Sequence, residues 1–302
     1  MASTDEPVRQ RAVTQESGHS RDLERPPLPE PLRTPVIDNH CHLDIHDGDV
    51  GAEWLGVERA LELAASVGVT RIVQVGCDLA SARWSVKAAA EHDGIVATVA
   101  LHPNEAPRIF DQGGREALEA AYDEIASLAE HPRVRAVGET GLDFFRTGEE
   151  GRGVQEESFR RHIDLAKRLG KPVVIHDRDA HDDVIRVLES EGPPEKVVFH
   201  CYSGDAEMAR YCTERGWYLS FAGTVTFKNA KALREAVAVA PLDRMLVETD
   251  APYLTPTPYR GRPNASYLVP HTVRVMAESA GVSEDEMAAA IWDSTRRVFG
   301  EW

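Results

Sequence analysis

A chain of 302 residues, 42% of them hydrophobic, has enough apolar sequence for one large core. Its formal charge of -16 argues against broad adhesion to nucleic acid, although a locally cationic cleft or bound metal ions can still recruit an anionic substrate. No stretch approaches the roughly 20 apolar residues that cross a bilayer, and no secretory apolar region opens the chain, so a cytoplasmic protein without membrane attachment is expected.

Residues 1–34 hold six Asp/Glu and five Arg, and Pro26, Pro27, Pro29, Pro31 and Pro35 crowd the end of this stretch. Without apolar periodicity it reads as a disordered tail ahead of one domain over 35–302. Eight apolar, β-branched runs follow at strand-and-helix intervals: Val36-Ile37, Ile72 to Val75, Ile95 to Val99, Val134 to Val137, Val173 to Ile175, Val197 to Phe199, Tyr218 to Phe221 and Met245 to Val247. Segments of helical periodicity lie between them, among them Ala117 to Ala129, Phe159 to Leu169, Val184 to Leu188 and Ala206 to Cys212. Eight strand–helix units with strands apolar on both faces predict a (β/α)8 TIM barrel.

After the eighth run, Pro252, Pro256, Pro258 and Pro263 predict a long loop, then a helix near Tyr267 to Ala280. Ser283 with Glu286 reads as a capping box for a short helix through Ala290, and Ile291 to Phe299 as a separate final helix. Cys41, Cys77, Cys201 and Cys212 lack paired spacing and sit inside predicted elements, so reduced thiols are expected.

Active sites of such barrels form at the carboxyl ends of the strands. His40 and His42, two apart on an extended chain, point to one side there. Strand four ends in Glu139, strand five in His176, strand six in His200 and strand eight in Asp250, at intervals of 97, 37, 24 and 50 residues that fit whole βα units. Imidazole and carboxylate donors without thiolate suit a divalent ion of borderline or hard character, such as Mg, Mn or Zn. Six such groups exceed one structural site, and a pair of ions sharing a carboxylate accounts for the excess.

Asn39-His40-Cys41-His42-Leu43-Asp44, Leu101-His102-Pro103, Val137-Gly138-Glu139-Thr140-Gly141-Leu142-Asp143-Phe144, Val174-Ile175-His176-Asp177-Arg178, Phe199-His200-Cys201-Tyr202-Ser203-Gly204, Thr226-Phe227-Lys228 and Leu246-Val247-Glu248-Thr249-Asp250-Ala251-Pro252-Tyr253 together closely resemble the TatD family of metal-dependent deoxyribonucleases, within the amidohydrolase-like barrels. The resemblance spans about residues 35 to 300 and implies two ion positions. It places His40, His42 and Asp250 on the first, His176 and His200 on the second, and Glu139 between them. It also implies that a water acidified by two cations attacks phosphorus, with Asp250 as proton acceptor.

Arg146 and Arg178, just beyond strand ends, are candidates to grip a phosphate, against the alternative of surface ion pairs with Glu149 or Asp177. Lys228 matches the family pattern after strand seven. Tyr253 and Arg260, with Tyr259 and Arg262, put aromatics and cations in the long loop, which suits single-stranded DNA; a proline-braced loop packed on the barrel is the alternative. His102 is read as a substrate contact or an internal hydrogen bond, with a metal-ligand role the lesser reading, Glu248 as pointing away from the side of Asp250 or supporting a ligand histidine, and His46, His131, His162 and His181 as surface residues. Asp177 stands where the family more often has Ser, adding negative charge beside His176.

The function expected is hydrolysis of DNA phosphodiesters, as a 3′–5′ exonuclease on single-stranded ends. Two other readings remain open: an amidohydrolase or esterase acting on a small molecule, and a catalytically idle protein that binds metal or nucleic acid.

Overall fold

The computed structural model describes Thr4 and residues 6–12, 21–47 and 54–302. A short strand β1 (Arg9–Arg11) comes first, then β2 (Val36–Cys41) and β3 (Ile45–Asp47). The remaining strands are β4 (Val69–Gly76), β5 (Ile95–Val99), β6 (Val134–Asp143), β7 (Val173–Arg178), β8 (Val197–Phe199), β9 (Tyr218–Phe221) and β10 (Met245–Val247). All but β1 and β3 form one sheet, ordered β2-β4-β5-β6-β7-β8-β9-β10, with every neighbouring pair parallel. Between consecutive sheet strands lie α1 (Val57–Ser66), α2 (Leu79–Glu91), α3 (Glu105–Ala129), α4 (Glu149–Leu169), α5 (His181–Glu191), α6 (Ala206–Glu214) and α7 (Lys231–Val239). The sheet curls until its two edges meet: the Asp250 amide donates to the His40 carbonyl at 2.9 Å and the His42 amide to the Ala251 carbonyl at 2.8 Å. The result is the expected (β/α)8 barrel.

Each of the eight apolar runs lies within one of these strands, because a strand covered by helices outside and packed inside has no polar face to alternate with. Val73, Val96, Ala136, Val174, Val198 and Leu246, from six different strands, form a single apolar layer completed by Tyr218, Val298 and Phe299. Val298 and Phe299 end α9 (Glu284–Phe299), which follows α8 (Val269–Ala280) and supplies the chain's last helical residues to the barrel interior. The Ser283 hydroxyl accepts from the Glu286 amide and the Glu286 carboxylate from the Ser283 amide, so the capping box forms as expected. The helix it starts does not stop at Ala290. It runs unbroken to Phe299, since Met287, Ala288, Ile291, Thr295 and Val298 keep one buried stripe and no Gly or Pro interrupts it.

The described parts of residues 1–34 are not a free tail. β1 pairs with β3, Arg21 forms an ion pair with Asp47, Trp84 donates its indole hydrogen to the Glu6 carbonyl at 3.0 Å, and the Tyr267 hydroxyl donates to the Pro26 carbonyl at 2.7 Å. Charges that suggest disorder in the sequence find buried partners here. His162, expected at the surface, is buried and bonded to the Thr140 hydroxyl at 2.8 Å; burial pushes its imidazole down to about 3, so it stays neutral. His46 is buried as well. All four cysteines are free thiols.

Gly141 of β6 stands opposite His176 of β7; its φ is +140°, and a Cβ there would lie 2.0 Å from the His176 carbonyl oxygen. Only glycine lets His176 sit where it does. Gly141→Ala should therefore lower stability by about 1–3 kcal/mol and reduce metal uptake. Denaturant unfolding and elemental analysis check this, and wild-type values for both would show that the strands can part without disturbing the site.

Candidate metal centre

The carboxyl ends of the strands carry the polar end of the barrel. His40 is the penultimate residue of β2, His42 begins the next loop, Glu139 lies within β6 and His176 within β7, while His200 and Asp250 follow β8 and β10. β6 continues past Glu139 to Asp143, farther than the apolar run alone predicts. Asp250 adopts φ +54°, a conformation uncommon for a non-glycine residue, and is held there by the bond from its amide to the His40 carbonyl.

The structure brings all six sequence-identified candidates together around Glu139. Its Oε2 faces His40 Nε2 at 3.6 Å, and its Oε1 faces His176 Nδ1 at 2.6 Å and His200 Nε2 at 3.1 Å. Asp250 Oδ1 stands 3.3 Å from His42 Nε2 and 3.8 Å from His40 Nε2. Three groups are spaced to hold an ion: His40, His200 and Asp250; His40, His42 and Glu139; and His102, Glu139 and His176. Ligand bonds of about 2.1 Å put neighbouring donor atoms roughly 3.0–3.4 Å apart, near most of the separations found here. Both ring nitrogens of buried His40 lack a hydrogen-bond partner among the described residues. Buried polar atoms normally have one, so this donor set fits a divalent cation.

His102, read from the sequence as a lesser contact, comes to 3.5 Å from Glu139 Oε1. Its Nδ1 accepts from the Asn104 amide at 3.1 Å, which turns Nε2 toward the carboxylate. Asp143 was not singled out by sequence reasoning, and its carboxylate lies 3.3 Å from His176 Nε2. Its place at the end of Glu139-Thr140-Gly141-Leu142-Asp143, an even step from Glu139 along the strand, is the signal that points to it. Glu248 accepts from His200 Nδ1 at 2.9 Å and from the Ser220 hydroxyl at 2.5 Å, fixing which nitrogen His200 presents. Asp38, also missed, takes bonds from the Thr249 hydroxyl and amide and the His40 amide, so it ties the first strand to the last. Burial pushes its carboxyl up to about 6.

Burial opposes a charge on Glu139, but His200 and His102 and the hydrogen bonds of His102 and His176 hold its carboxyl well below the usual range. Asp250 is likewise depressed: desolvation raises it, and the His42 hydrogen bond and nearby imidazoles outweigh that. Burial lowers His176, yet its bonds to Asp143 and Glu139 push it up to about 9. Burial and the neighbouring His200 lower His40.

The centre lies in a cleft of about 700 Å³. Arg146, Arg178 and Tyr253 line its wall, as does Arg9. Arg178 also stacks on Phe145, 3.8 Å from its ring centre. Lys228 and Arg260 are not among the lining residues: Lys228 is exposed and Arg260 lies 4.0 Å over the Phe227 ring. Arg262 pairs with Asp22 and Glu24, and Tyr259 packs edge-on to His271, so much of the proline-rich loop is braced on the protein. Asp177 bonds His181 Nδ1 at 2.6 Å, which offsets its charge beside His176 and gives the supposed surface histidine a partner.

Loading an ion onto this set must displace protons from imidazoles that pair with Glu139. A group held near 9 is protonated at neutral pH, so metal affinity should rise as pH increases from 6 to 8, with proton release on binding. Calorimetry with Mn²⁺ in buffers of different ionisation enthalpy measures that release; identical heats in both buffers would refute it.

A family model described as TatD related DNase matches residues 37–300. An uncharacterised metal-dependent hydrolase TatD from Mycobacterium tuberculosis is 47% identical over 88% of this chain and 98% of its own length, and the Bacillus subtilis hydrolase YabD is 37% identical over 87% and 98%. The crystal structure of YJJV, a TatD homologue from Escherichia coli K12, superimposes with a TM-score of 0.78 at 27% identity, covering 88% of this chain and 98% of that one. No helix among the described residues is long and apolar enough to cross a membrane. This chain belongs to the TatD related DNase family of metal-dependent hydrolases.

Proposed function

We propose that this chain hydrolyses phosphodiester bonds of DNA, trimming single-stranded ends from the 3′ side, with two divalent ions, Mg, Mn or Zn, held in the cleft. The observation that carries this reading is the Glu139 carboxylate, which turns one oxygen toward His40 and the other toward His176 and His200. In this reading His40, His42 and Asp250 hold one ion and His176 and His200 the other, with Glu139 shared and His102 beside the second. Bound ions of this kind supply an acidified water and positive charge opposite a phosphoryl group.

The protein's own groups do the rest. Asp250, kept ionised and only partly exposed, is positioned to take a proton from the attacking water. Arg146 and Arg178 line the wall where a phosphate would lie, and a guanidinium matches two phosphate oxygens at once. Tyr253 offers an aromatic face to a terminal base. Lys228 and Arg260, outside the cleft wall, are left to contact nucleotides farther along the strand. The family description supports a DNA substrate, and the arginine-lined cleft supports an anionic one despite the acidic surface.

End-labelled single-stranded and duplex oligonucleotides, incubated with the protein and Mg²⁺ or Mn²⁺, test the reading. Single strands should shorten from the 3′ end, a chelator should stop the reaction, and Asp250→Ala should slow it about 10²–10⁴-fold. Intact DNA alongside cleavage of a small ester or amide would establish the amidohydrolase alternative. Intact substrates of every class with ions bound would establish the idle one.

A further inference from the structure

The N-terminal segment enters the cleft. Val8 and Arg9 donate their amides to the Asp44 carbonyl at 3.0 and 3.1 Å, and β1 then runs beside β3 with Arg9 opposite Ile45 and Arg11 opposite Asp47. This segment precedes residue 37, where the family match begins. Arg9 extends from it to the metal centre: Nε and Nη2 grip the two oxygens of Asp44 at 2.6 and 3.0 Å, and Nη2 comes within 3.1 Å of His42 Nδ1. Asp44 is fully buried, and Arg9 is the cation that balances it.

That fork fixes the guanidinium rigidly and leaves Nη1 without an acceptor among the described residues, while Arg9 keeps about a quarter of its side chain exposed and lines the cleft. Arg11 secures the other side of the segment. It donates to the Pro252 carbonyl and lies 4.6 Å from the centre of the Tyr253 ring, itself part of the cleft wall.

We infer that the N-terminal segment is a working part of the active site, in which Arg9 binds a phosphate of the substrate beside His42 and Arg11 holds Tyr253 in place. The chemical class it recognises is a phosphate monoester or diester, and the assignment to a DNA strand rests on the function proposed above. A guanidinium already oriented by a buried carboxylate loses little freedom on meeting a phosphate, which is why a fixed arginine suits this role better than a mobile lysine. Arg9 extends the cationic wall formed by Arg146 and Arg178 to the His42 side of the cleft.

The test compares wild type with Arg9→Gln and Arg9→Lys in the full chain loaded with Mn²⁺. For a single-stranded oligonucleotide, Arg9→Gln should raise KM about tenfold with kcat and metal content unchanged, and Arg9→Lys should recover part of that loss. The slope of log(kcat/KM) against log[salt] should become shallower in Arg9→Gln by about 0.7, one phosphate contact on a single strand. Calorimetric binding of inorganic phosphate should weaken in parallel, and this readout stands whether or not DNA is the substrate. If wild type leaves DNA intact but Arg9→Gln still weakens phosphate binding, the DNA reading fails and the Arg9 site survives. If Arg9→Gln changes only thermal stability or metal content, with KM, salt slope and phosphate affinity at wild-type values, Arg9 is a structural brace and the inference is overturned.

Discussion

A buried carboxylate at the centre of the barrel sets the terms for everything around it. Glu139 is only 4% exposed, and an isolated ionised carboxylate at such a depth is strongly unfavourable. The protein surrounds it with His40, His102, His176 and His200, each from a different strand or the residues that follow it. Protons on those imidazoles can balance the charge, and divalent ions held as proposed above would compete with them. Such competition would tie metal affinity to pH.

The barrel makes this arrangement affordable. One layer of its interior is apolar, built from Val73, Val96, Ala136, Val174, Val198 and Leu246 and completed by the end of α9, while the charged groups gather at the carboxyl ends of the strands. A further ring of polar groups holds the histidines in position. Glu248 anchors His200, and Asp38 links the His40 strand to Thr249, next to Asp250. Asn39 donates to Ser220 and to the Val247 carbonyl, spanning the same seam. Rigid placement matters because ion sites tolerate only small errors in donor position.

Much of this was legible in the sequence. Eight apolar runs sufficed for the strands because a barrel strand is buried on both faces, and the six candidate ligands were visible because each stands at or just past the end of such a run. His102 was harder to place, since its role depends on the Asn104 amide turning its ring. Side-chain direction was equally hidden for Lys228, which is exposed outside the cleft lining, and for Arg260, which stacks on Phe227 instead of opening into the cleft. His162 and His46 showed no pattern that distinguishes a buried, bonded imidazole from a surface one. The largest difference lies in residues 1–34: charge and proline suggested disorder, but Arg9, Arg11 and Arg21 have partners in Asp44 and Asp47, more than 25 residues away in sequence. A three-residue strand has too little periodicity to announce itself.

The central claim is that Glu139 shares its two oxygens between two ions. Anomalous diffraction from crystals soaked in Mn²⁺ tests it most directly. The account predicts two peaks, each within bonding distance of a different Glu139 oxygen, one among His40, His42 and Asp250 and the other beside His176 and His200. A single peak bound by one oxygen, or ions that avoid Glu139 altogether, would contradict it.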